Sequence, residues 1–417
     1  MADATLSPRD MGFVKFIRSE LRPKGRLLTP FNIITVPIIV VAAVLVVIRF
    51  ALGLGTVSNL NQGTPWGLWI GFNVVTGVAF AGGAYVVTFM VYILRAEKYH
   101  PIVRATVLNG FLAYVFYAGD LLLDLGRPWN VCNPIIGNSF GFSSVLFLVA
   151  WHFMLYMIAE FLEFSPAIAE WLGLERIKRV LSGLTLGAVI LGIALSTLHQ
   201  SGLGALFLMA KPKIHPLWYS EFIPILFVVS SVFAGLSMVI FEGSLSQKVF
   251  AYQLSHNDEK QHHEIMFGLA RICGLAMFSY LFLVVITFVH GKDWQFLNGK
   301  MGVWWLVEIV GFVLVPMLIF MVAAGKRNAR WVQVAAVMTI IGIILNRLNI
   351  SVIAFKWYEP HHYVPSWMEV VISVAVISAE IWVFRWIVHR MPVLQARPAW
   401  QRQQVASRSH ESRKTDR

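Results

Sequence analysis

Ten apolar segments, each about as long as a membrane-spanning helix, constrain this chain more than any other feature. A helix needs ~20 mostly apolar residues to cross the hydrocarbon core of a bilayer. Only 13% of the residues are charged, against roughly 25% in soluble domains. We therefore predict an all-α polytopic membrane protein that has the lipid bilayer, and no nucleic acid, as a partner. The segments lie at 31–52, 66–94, 102–124, 140–163, 178–199, 220–242, 264–289, 302–324, 330–355 and 366–389.

Basic residues between these segments predict the orientation. If the N-terminus is cytoplasmic, the inner loops hold Arg95, Lys98, Arg104, Arg176, Lys178, Arg179, Lys248, Lys260, Lys326, Arg327 and Arg330. The outer loops then hold only Arg127, Lys211, Lys213, Lys292, Lys300 and Lys356. Since cytoplasmic loops carry an excess of Lys and Arg, both termini are expected in the cytoplasm. The predicted location is the cytoplasmic (inner) membrane of a bacterium.

Polar segments flank the predicted transmembrane domain, which covers residues 30–392. Residues 1–29 are basic and form either an interfacial helix or a tail that only fixes the topology. Residues 393–417 are rich in Gln, Arg and Ser and are predicted to be a disordered cytoplasmic tail. The helix interpretation places these apolar residues on one face: Met11, Phe13, Val14, Phe16, Ile17 and Leu21.

The stretch 195–220 joins a histidine to glycines at the predicted outer face. His199 ends the fifth apolar segment, and Gly202 and Gly204 follow it. A titratable side chain at the end of a membrane helix is costly to bury unless it is paired or used. We expect a glycine-rich turn here that folds into a pocket at the membrane edge.

Seven polar residues from six apolar segments are predicted at similar depth below the outer face. Asp120 and Asp124 are four residues apart and share a helix face, with Arg127 three residues beyond. They form either a structural ion pair or a proton path. Arg347 is expected to pair with Glu308 or Glu369. The full set is Asn73, Asp120, Asp124, His199, Glu308, Arg347 and Glu369.

Four further carboxylates lie toward the inner side. Interfacial anchoring explains most of them, and part of a proton route is the alternative. They are Glu160, Glu163, Glu242 and Glu380.

The sequence predicts no metal site, no haem and no iron–sulfur cluster in this chain. Two cysteines, Cys132 and Cys273, are too few for a cluster, which needs about four ligands. A haem between helices needs a pair of axial ligands. His152 and His199 are predicted to differ in depth by about half a membrane, which would prevent them from forming that pair.

A short internal similarity is compatible with two related helix bundles, or with chance. Trp66 is followed by Phe80-Ala81-Gly82, and Trp218 by Phe233-Ala234-Gly235. Each set combines an interfacial Trp with a small-residue patch deeper in an outside-to-inside helix.

Motifs spread over nearly the whole chain resemble the NrfD/PsrC family of polysulfide-reductase-type integral membrane subunits. The match is strongest to the membrane subunit of periplasmic NiFe-hydrogenases, often labelled a cytochrome b subunit. The motifs are GLGTVSNLNQGTPWGLWIGFN (53–73), AEKYHPIVR (96–104), DLGRPWN (124–130), LHQSGLG (198–204), KIHPLWYS (213–220), IFEGS (240–244) and VPSWMEVVIS (364–373).

The resemblance implies a haem-free anchor with two four-helix bundles, segments two to five and six to nine, plus flanking helices. Such a subunit passes electrons between a periplasmic ferredoxin-like iron–sulfur subunit, here of a NiFe-hydrogenase, and menaquinone or ubiquinone. It implies a quinone pocket near the outer face. Our own hypothesis is that Asp120, Asp124 and His199 exchange the protons of the quinone chemistry there. Close relatives often have an acidic residue at the position of Asn73. The predicted pocket residues are Trp69, Asn73, Arg127, His199, Glu308, Arg347 and Glu369.

Other functions are also compatible with the sequence. A proton-translocating or transport module without a quinone explains ten helices and buried charges. It explains the outer clustering less well, because transport sites are expected near the midplane. A pure anchor, or the equivalent subunit of a multihaem-cytochrome or molybdoenzyme complex, is a further alternative. The buried carboxylates are compatible both with protons that cross the membrane and with protons taken from one side.

Overall fold

The computed structural model describes residues 12–23, 28–61, 63–64, 66–137, 141, 143–249 and 256–394. These residues are nearly all helical and contain no strand, only an isolated bridge between Ile214 and Phe355. Ten helices are long and apolar enough to cross a membrane, which confirms the predicted all-α polytopic fold. They are α1 Pro30–Leu52, α2 Trp69–Ile93, α3 Glu97–Asp124, α4 Val145–Trp171, α5 Glu175–Leu208, α6 Ile223–Val249, α7 Glu259–Gly291, α8 Lys300–Gly325, α9 Ala329–Ile353 and α10 Trp367–Val388.

Capping residues set the starts of several of these helices. Thr29 accepts a hydrogen bond from the backbone N–H of Asn32 at 3.2 Å, directly before Pro30 in the first turn of α1. Asn328 caps α9 in the same way, and Ser366 begins α10 with a capping box. These side chains satisfy N–H groups that have no partner inside the helix. The sequence therefore encodes the helix starts locally.

Helix α5 ends much later than the sequence predicted. It continues through Gly202 and Gly204 to Leu208, so the expected glycine-rich turn is wrong. A Cβ atom at Gly204 would lie 2.7 Å from the Cα of Pro224 at the start of α6. This glycine therefore permits close helix packing, and it does not break the helix. His199 consequently lies about two and a half turns inside α5.

The helices pack mainly against their neighbours in sequence. Helices α2 to α5, which we call the first half, pack in succession, and so do α6 to α9, the second half. Helix α6 contacts α2 and α5, which joins the halves, while α10 packs on α1 and α3. The division into two four-helix bundles and the cytoplasmic position of both termini stay predictions. We call the side where α2 begins and α3 ends the outer face, following the predicted orientation.

The two halves meet where the sequence repeats its small-residue patch. A Cβ atom at Gly235 would lie 2.0 Å from the backbone nitrogen of Gly83, and one at Gly82 would lie 2.7 Å from the carbonyl oxygen of Ser231. The two similar segments therefore pack directly against each other, and the backbones of α2 and α6 approach closely because both lack side chains there.

Part of the basic N-terminal segment is helical. The helix Phe13–Leu21 packs on the inner face, where Phe16 is buried against Trp171 at the end of α4. At the other end of the chain, Met391 and Val393 are buried. The rest of the predicted tail, from residue 395, lies outside the described residues.

Candidate functional site

The outer end of α2 begins as a π-helix, Trp69–Val74, which turns Trp69 and Asn73 into the protein. π-Helical turns are rare and occur frequently at functional sites. Gly71 lies between them, and a Cβ atom there would be 2.3 Å from the hydroxyl of Ser351 in α9. The close packing of α9 on Gly71 therefore fixes the position of this π-helical turn.

Asn73 joins three helices at one buried point. Its amide nitrogen donates to Asp120 Oδ2 at 2.6 Å and to Ser373 Oγ at 3.1 Å. Asp120, on α3, is completely buried, and Ser373 belongs to α10. A buried carboxylate at this position is costly unless it is paired, protonated or used.

Several buried polar atoms at the outer ends of α2 and α3 have no hydrogen-bond partner within the described structure. They are Trp69 Nε1, Asn73 Oδ1, Asp120 Oδ1 and Asp124 Oδ1. Most buried polar atoms in proteins are hydrogen-bonded, so such a concentration calls for a ligand or water. We call Trp69, Asn73, Asp120 and Asp124 the outer cluster. It combines one free N–H donor with three free acceptors.

The charge beside Asp124 comes from Arg49 on α1, a residue that was not predicted from the sequence. Arg49 is buried, donates to the carbonyl oxygen of Leu123 at 2.7 Å and to that of Leu125, and interacts electrostatically with Asp124. The predicted partner, Arg127, is instead exposed on the loop after α3. An arginine near the end of an otherwise apolar segment was the available signal.

Glu369 holds the outer loops next to this cluster. Its carboxylate accepts hydrogen bonds from the backbone N–H groups of Ser366 at 2.8 Å and Asn59 at 3.1 Å, and from the Tyr363 hydroxyl. Burial and the bond to Glu369 raise the pKa of Tyr363, so the phenol remains a donor. Glu369 therefore contacts the loop before α2 and does not contact Arg347.

Glu308 and Arg347 belong to a separate centre in the second half. Glu308 accepts hydrogen bonds from Trp218 Nε1 at 2.7 Å, Asn346 Nδ2 at 2.7 Å and Asn349 Nδ2 at 2.5 Å. Arg347 donates to Asn346 Oδ1 at 2.8 Å, so Asn346 bridges the two charges. We call these five residues the second-half centre. A cavity of about 40 Å³ adjoins it at the outer face.

Arg347 is fixed on three sides. It donates to Ser230 Oγ at 2.7 Å, and its guanidinium lies 3.6 Å from the ring centroid of Phe227. Within this centre, Arg347 Nε is a buried atom that has no hydrogen-bond partner among the described residues. The centre therefore pairs both oxygens of its carboxylate, whereas the outer cluster leaves one oxygen of each carboxylate free.

His199 lies apart from both groups, in the interior of the first half. Its Nδ1 is 3.1 Å from the hydroxyl of Tyr114, and its Nε2 has no partner. Its ring centroid lies 5.4 Å from that of Phe153, the residue after His152, so the predicted difference in depth between the two histidines is wrong. The reason is the later end of α5, which places His199 level with the outer third of α4. That geometric argument against a haem therefore fails.

A column of titratable side chains continues inward from His199. The rings of Tyr114 and Tyr156 are 4.6 Å apart, and Tyr156 donates to Glu160 Oε1 at 2.5 Å. A Cβ atom at Gly110 would lie 2.6 Å from Glu160 Oε1, and one at Gly192 would lie 2.9 Å from Glu163 Oε1. Each carboxylate therefore occupies space that a glycine on the neighbouring helix leaves open. The two tyrosines were missed because each one resembles ordinary core packing.

Near the inner face, a cavity of about 160 Å³ lies between α3, α6, α7 and α10. Glu242 lines it and accepts a hydrogen bond from Asn109 Nδ2 at 2.9 Å, and His262 lies opposite. Glu380 of α10 interacts electrostatically with both Glu242 and Asp120. Among the described residues, no group of three His, Cys, Asp or Glu side chains could hold a metal ion.

Comparisons with known proteins find relatives that are similar over most of the chain. A protein of Nitratidesulfovibrio vulgaris (strain Hildenborough) is 42% identical over 89% of this chain and 96% of its own length. The probable Ni/Fe-hydrogenase 2 b-type cytochrome subunit of Escherichia coli K12 is 32% identical over 89% of this chain and 94% of its own length. The menaquinone reductase integral membrane subunit of N. vulgaris is 27% identical over 78% of this chain and 82% of its own length.

The family model described as polysulphide reductase, NrfD, matches residues 56–355. That range runs from the loop before the outer cluster to the end of α9, and thus includes both polar centres and the His199 column. This multi-pass membrane protein is therefore a member of the NrfD family of membrane subunits, related to those of hydrogenases and quinone reductases.

Proposed function

We propose that this chain is the haem-free, quinone-interacting membrane subunit of a respiratory oxidoreductase complex. The observation that carries the proposal is the outer cluster, where one donor and three acceptors are buried without partners. A quinone headgroup carries carbonyl acceptors, and a quinol carries hydroxyl donors, so the two forms complement this set. The relative named as a menaquinone reductase membrane subunit supports the same substrate class.

Residues of the outer cluster would divide the chemistry among them. The indole N–H of Trp69 would donate to a quinone carbonyl, and Asp120 Oδ1 would accept a quinol hydroxyl. Reduction of a quinone to a quinol takes two electrons and two protons. In this proposal the electrons come from an iron–sulfur partner, and Asp120 and Asp124 supply the protons. Asp124 is only half-buried, so it is the residue of the outer cluster that would face the entrance to the quinone site.

The other predicted pocket residues would act around the cluster. Glu369 would fix the loops that cover it, through Tyr363 and Asn59. Arg127 would face the partner from its exposed loop. Glu308 and Arg347 would stabilise the second half from their own centre.

Proton supply from the inner face is the role we propose for the buried carboxylates. One route runs from the inner cavity through Glu242 and Glu380 to Asp120. Glu380 interacts electrostatically with both of the other carboxylates. A second route follows the column from Glu163 and Glu160 through Tyr156 and Tyr114 to His199. Both end in the outer half, which is where quinone reduction would consume protons.

The partner we propose is a periplasmic ferredoxin-like iron–sulfur subunit, with a NiFe-hydrogenase as the catalytic subunit. The relative named as a hydrogenase 2 subunit supports this choice. The complex would lie in the bacterial inner membrane with both termini of this chain cytoplasmic. That orientation follows the positive-inside rule.

The variant Asp120→Asn tests the site. It keeps the size of the side chain and removes the proton-exchanging group, so we expect quinone reduction by the complex to fall at least ~100-fold, as for loss of a proton-transfer group. Assembly should not change. Glu221→Gln, at an exposed carboxylate paired with Lys211, is the matched control and should keep full turnover. Normal turnover in Asp120→Asn would eliminate the outer cluster as the site.

A proton-translocating module without a quinone is the second candidate. The two proposed proton routes, through Glu242 and Glu380 and along the His199 column, favour it. The purified wild-type chain separates the alternatives. Saturable binding of a short-tailed menaquinone analogue, weakened in Trp69→Phe, supports the quinone site. Proton flux through vesicles that contain the chain, without any binding of the analogue, supports the translocating module.

A further inference from the structure

The helix Phe13–Leu21 carries a surface that no part of the described structure covers. Only eight residues separate it from the start of α1 at Pro30, so it lies on the inner face near the membrane boundary. Val14 and Leu21 are 78% and 65% exposed. Such exposed apolar side chains on a short helix beside a membrane domain indicate an interfacial position.

Contacts on the side that faces the protein prevent this helix from rotating about its axis. Phe16 is 1% exposed, and its ring centroid lies 5.5 Å from that of Trp171. Arg390, after α10, donates to the carbonyl oxygen of Glu20 at 2.6 Å and to that of Arg22 at 2.8 Å. The direction of every other side chain on the helix is therefore determined.

Around the helix axis, three sectors follow one another in a helical period of 3.6 residues. The buried sector, with Phe16 and Glu20, faces the protein. An apolar sector follows, with half-buried Ile17 and exposed Leu21 and Val14. A basic sector comes last, with the exposed side chains Arg18, Arg22 and Lys15.

This order matches the environment of a helix that lies beside a membrane domain at the lipid surface. The apolar sector adjoins the protein side and can enter the acyl region, while the basic sector points toward headgroups and water. The one acidic residue of the helix, Glu20, is turned inward and lies 3.8 Å from Arg390. The outward charge is therefore entirely positive.

We propose that this helix is a binding site for anionic phospholipids in the leaflet on the N-terminal side. The basic sector pairs with the phosphate groups, and Val14 and Leu21 insert between the acyl chains. Positive charges near an anionic lipid surface are attracted individually, and three on one sector act together. A zwitterionic lipid offers no net charge to this sector and binds it weakly.

Lipid-dependent stabilisation tests the charge preference. The purified full-length chain in detergent is titrated with phosphatidylglycerol or phosphatidylcholine, and the unfolding temperature is measured. We expect phosphatidylglycerol, but not phosphatidylcholine, to raise the unfolding temperature. In K15Q/R18Q/R22Q, half of the maximal rise should require about tenfold more phosphatidylglycerol. The control K260Q/K326Q/R330Q removes three exposed basic residues elsewhere on the inner face. Equal losses in both triple variants, or none in the first, would overturn the proposal.

Spin labels test the orientation independently of stability. In a Cys132→Ser background, Val14→Cys and Arg18→Cys are labelled in vesicles that contain phosphatidylglycerol. Because the second cysteine, Cys273, is buried, the label should go to the new site. We expect the label at 14 to be relaxed mainly by oxygen and the label at 18 mainly by a water-soluble nickel chelate. The same aqueous accessibility at both positions contradicts an inserted apolar sector.

Discussion

The outer cluster and the second-half centre use the same chemical groups in opposite ways. Each contains a tryptophan indole, an asparagine amide and a carboxylate near the outer face. In the second half, Trp218 and two asparagines donate to Glu308, so both of its oxygens are paired. In the first half, the part of the chain that the structure describes offers no partner to the Trp69 indole and leaves one oxygen of Asp120 unpaired. Residue type thus does not distinguish a structural network from a candidate site, whereas the pairing of the carboxylate oxygens does.

The hydrogen bonds of the arginine in each region, Arg347 or Arg49, explain much of this difference. Arg347 is buried and needs a nearby anion, so the residues around Glu308 are arranged to pair two opposite charges. Arg49 directs its hydrogen bonds to the carbonyl oxygens of Leu123 and Leu125. The carboxylates of the outer cluster are therefore left available for proton exchange.

Removal of Glu308 should have the largest effect on stability. In Glu308→Gln, Arg347 stays buried without its counter-ion, and we expect a loss of about 3–5 kcal/mol in the free energy of unfolding. Thermal unfolding of the purified chain in detergent measures it. Asp120→Asn is the matched change in the outer cluster and should lower the free energy of unfolding far less. Comparable losses in the two variants would show that the centres do not differ in the way we describe.

Gly235→Ala should disturb both halves together. The added Cβ would meet the backbone of Gly83, and overpacking of this kind costs roughly 1–3 kcal/mol. We expect a lower unfolding temperature and weaker binding of the menaquinone analogue, because α2 carries Trp69. Gly311→Ala is the control, since its Cβ would meet no atom within 4 Å. An unchanged unfolding temperature in Gly235→Ala would contradict the close backbone contact.

Two tryptophan variants separate binding from stability. Trp69→Phe removes an indole N–H that has no partner among the described residues, so stability should hold while binding of the menaquinone analogue weakens about 5–10-fold, as for one lost hydrogen bond. Trp218→Phe removes the 2.7 Å bond to Glu308, so stability should fall while binding holds. Isothermal titration and thermal unfolding measure the pair. The reverse pattern would assign the ligand to the second half.

The smallest effect is expected from His215, in the loop before α6. Burial among aromatic rings lowers the pKa of His215 below its usual value of 6.5. The unfolded chain takes up a proton as the pH falls below 6.5, while the folded chain resists it, so protonation favours the unfolded chain and His215 destabilises the fold in acid. From about pH 8 to about pH 5, the unfolding temperature of His215→Gln should fall by about 1–2 °C less than that of wild type. Parallel pH profiles would contradict this.

Much of the fold could be predicted from the sequence because the bilayer imposes a simple rule. Each spanning segment must satisfy its own backbone hydrogen bonds, so a run of about 20 apolar residues is a helix whatever packs against it. The ten segments were predicted on that basis, and most ends agree within a few residues. The end of α5 was missed because glycine has two uses. At Gly204 it permits contact with Pro224, and only the neighbouring helix reveals this.

The site was harder to predict because depth along a helix does not give direction around it. Seven polar residues were expected at one level, but the tertiary structure separates Asp120, Glu308 and His199 into three groups on different helix faces. Arg49 was overlooked, although its position beside Asp124 gives that carboxylate a nearby charge.

The sequence by itself determined the class of protein, the number of spanning helices and the polar residues available for chemistry. Hydrophobic length and the distribution of charge are properties of single segments, and they survive without knowledge of packing. Only the tertiary structure decided which polar atoms are paired and which are not. Pairing depends on distances of about 3 Å between residues far apart in the chain, such as Trp218 and Glu308. The same types of residue thus form a closed network around Glu308 and an open one around Asp120.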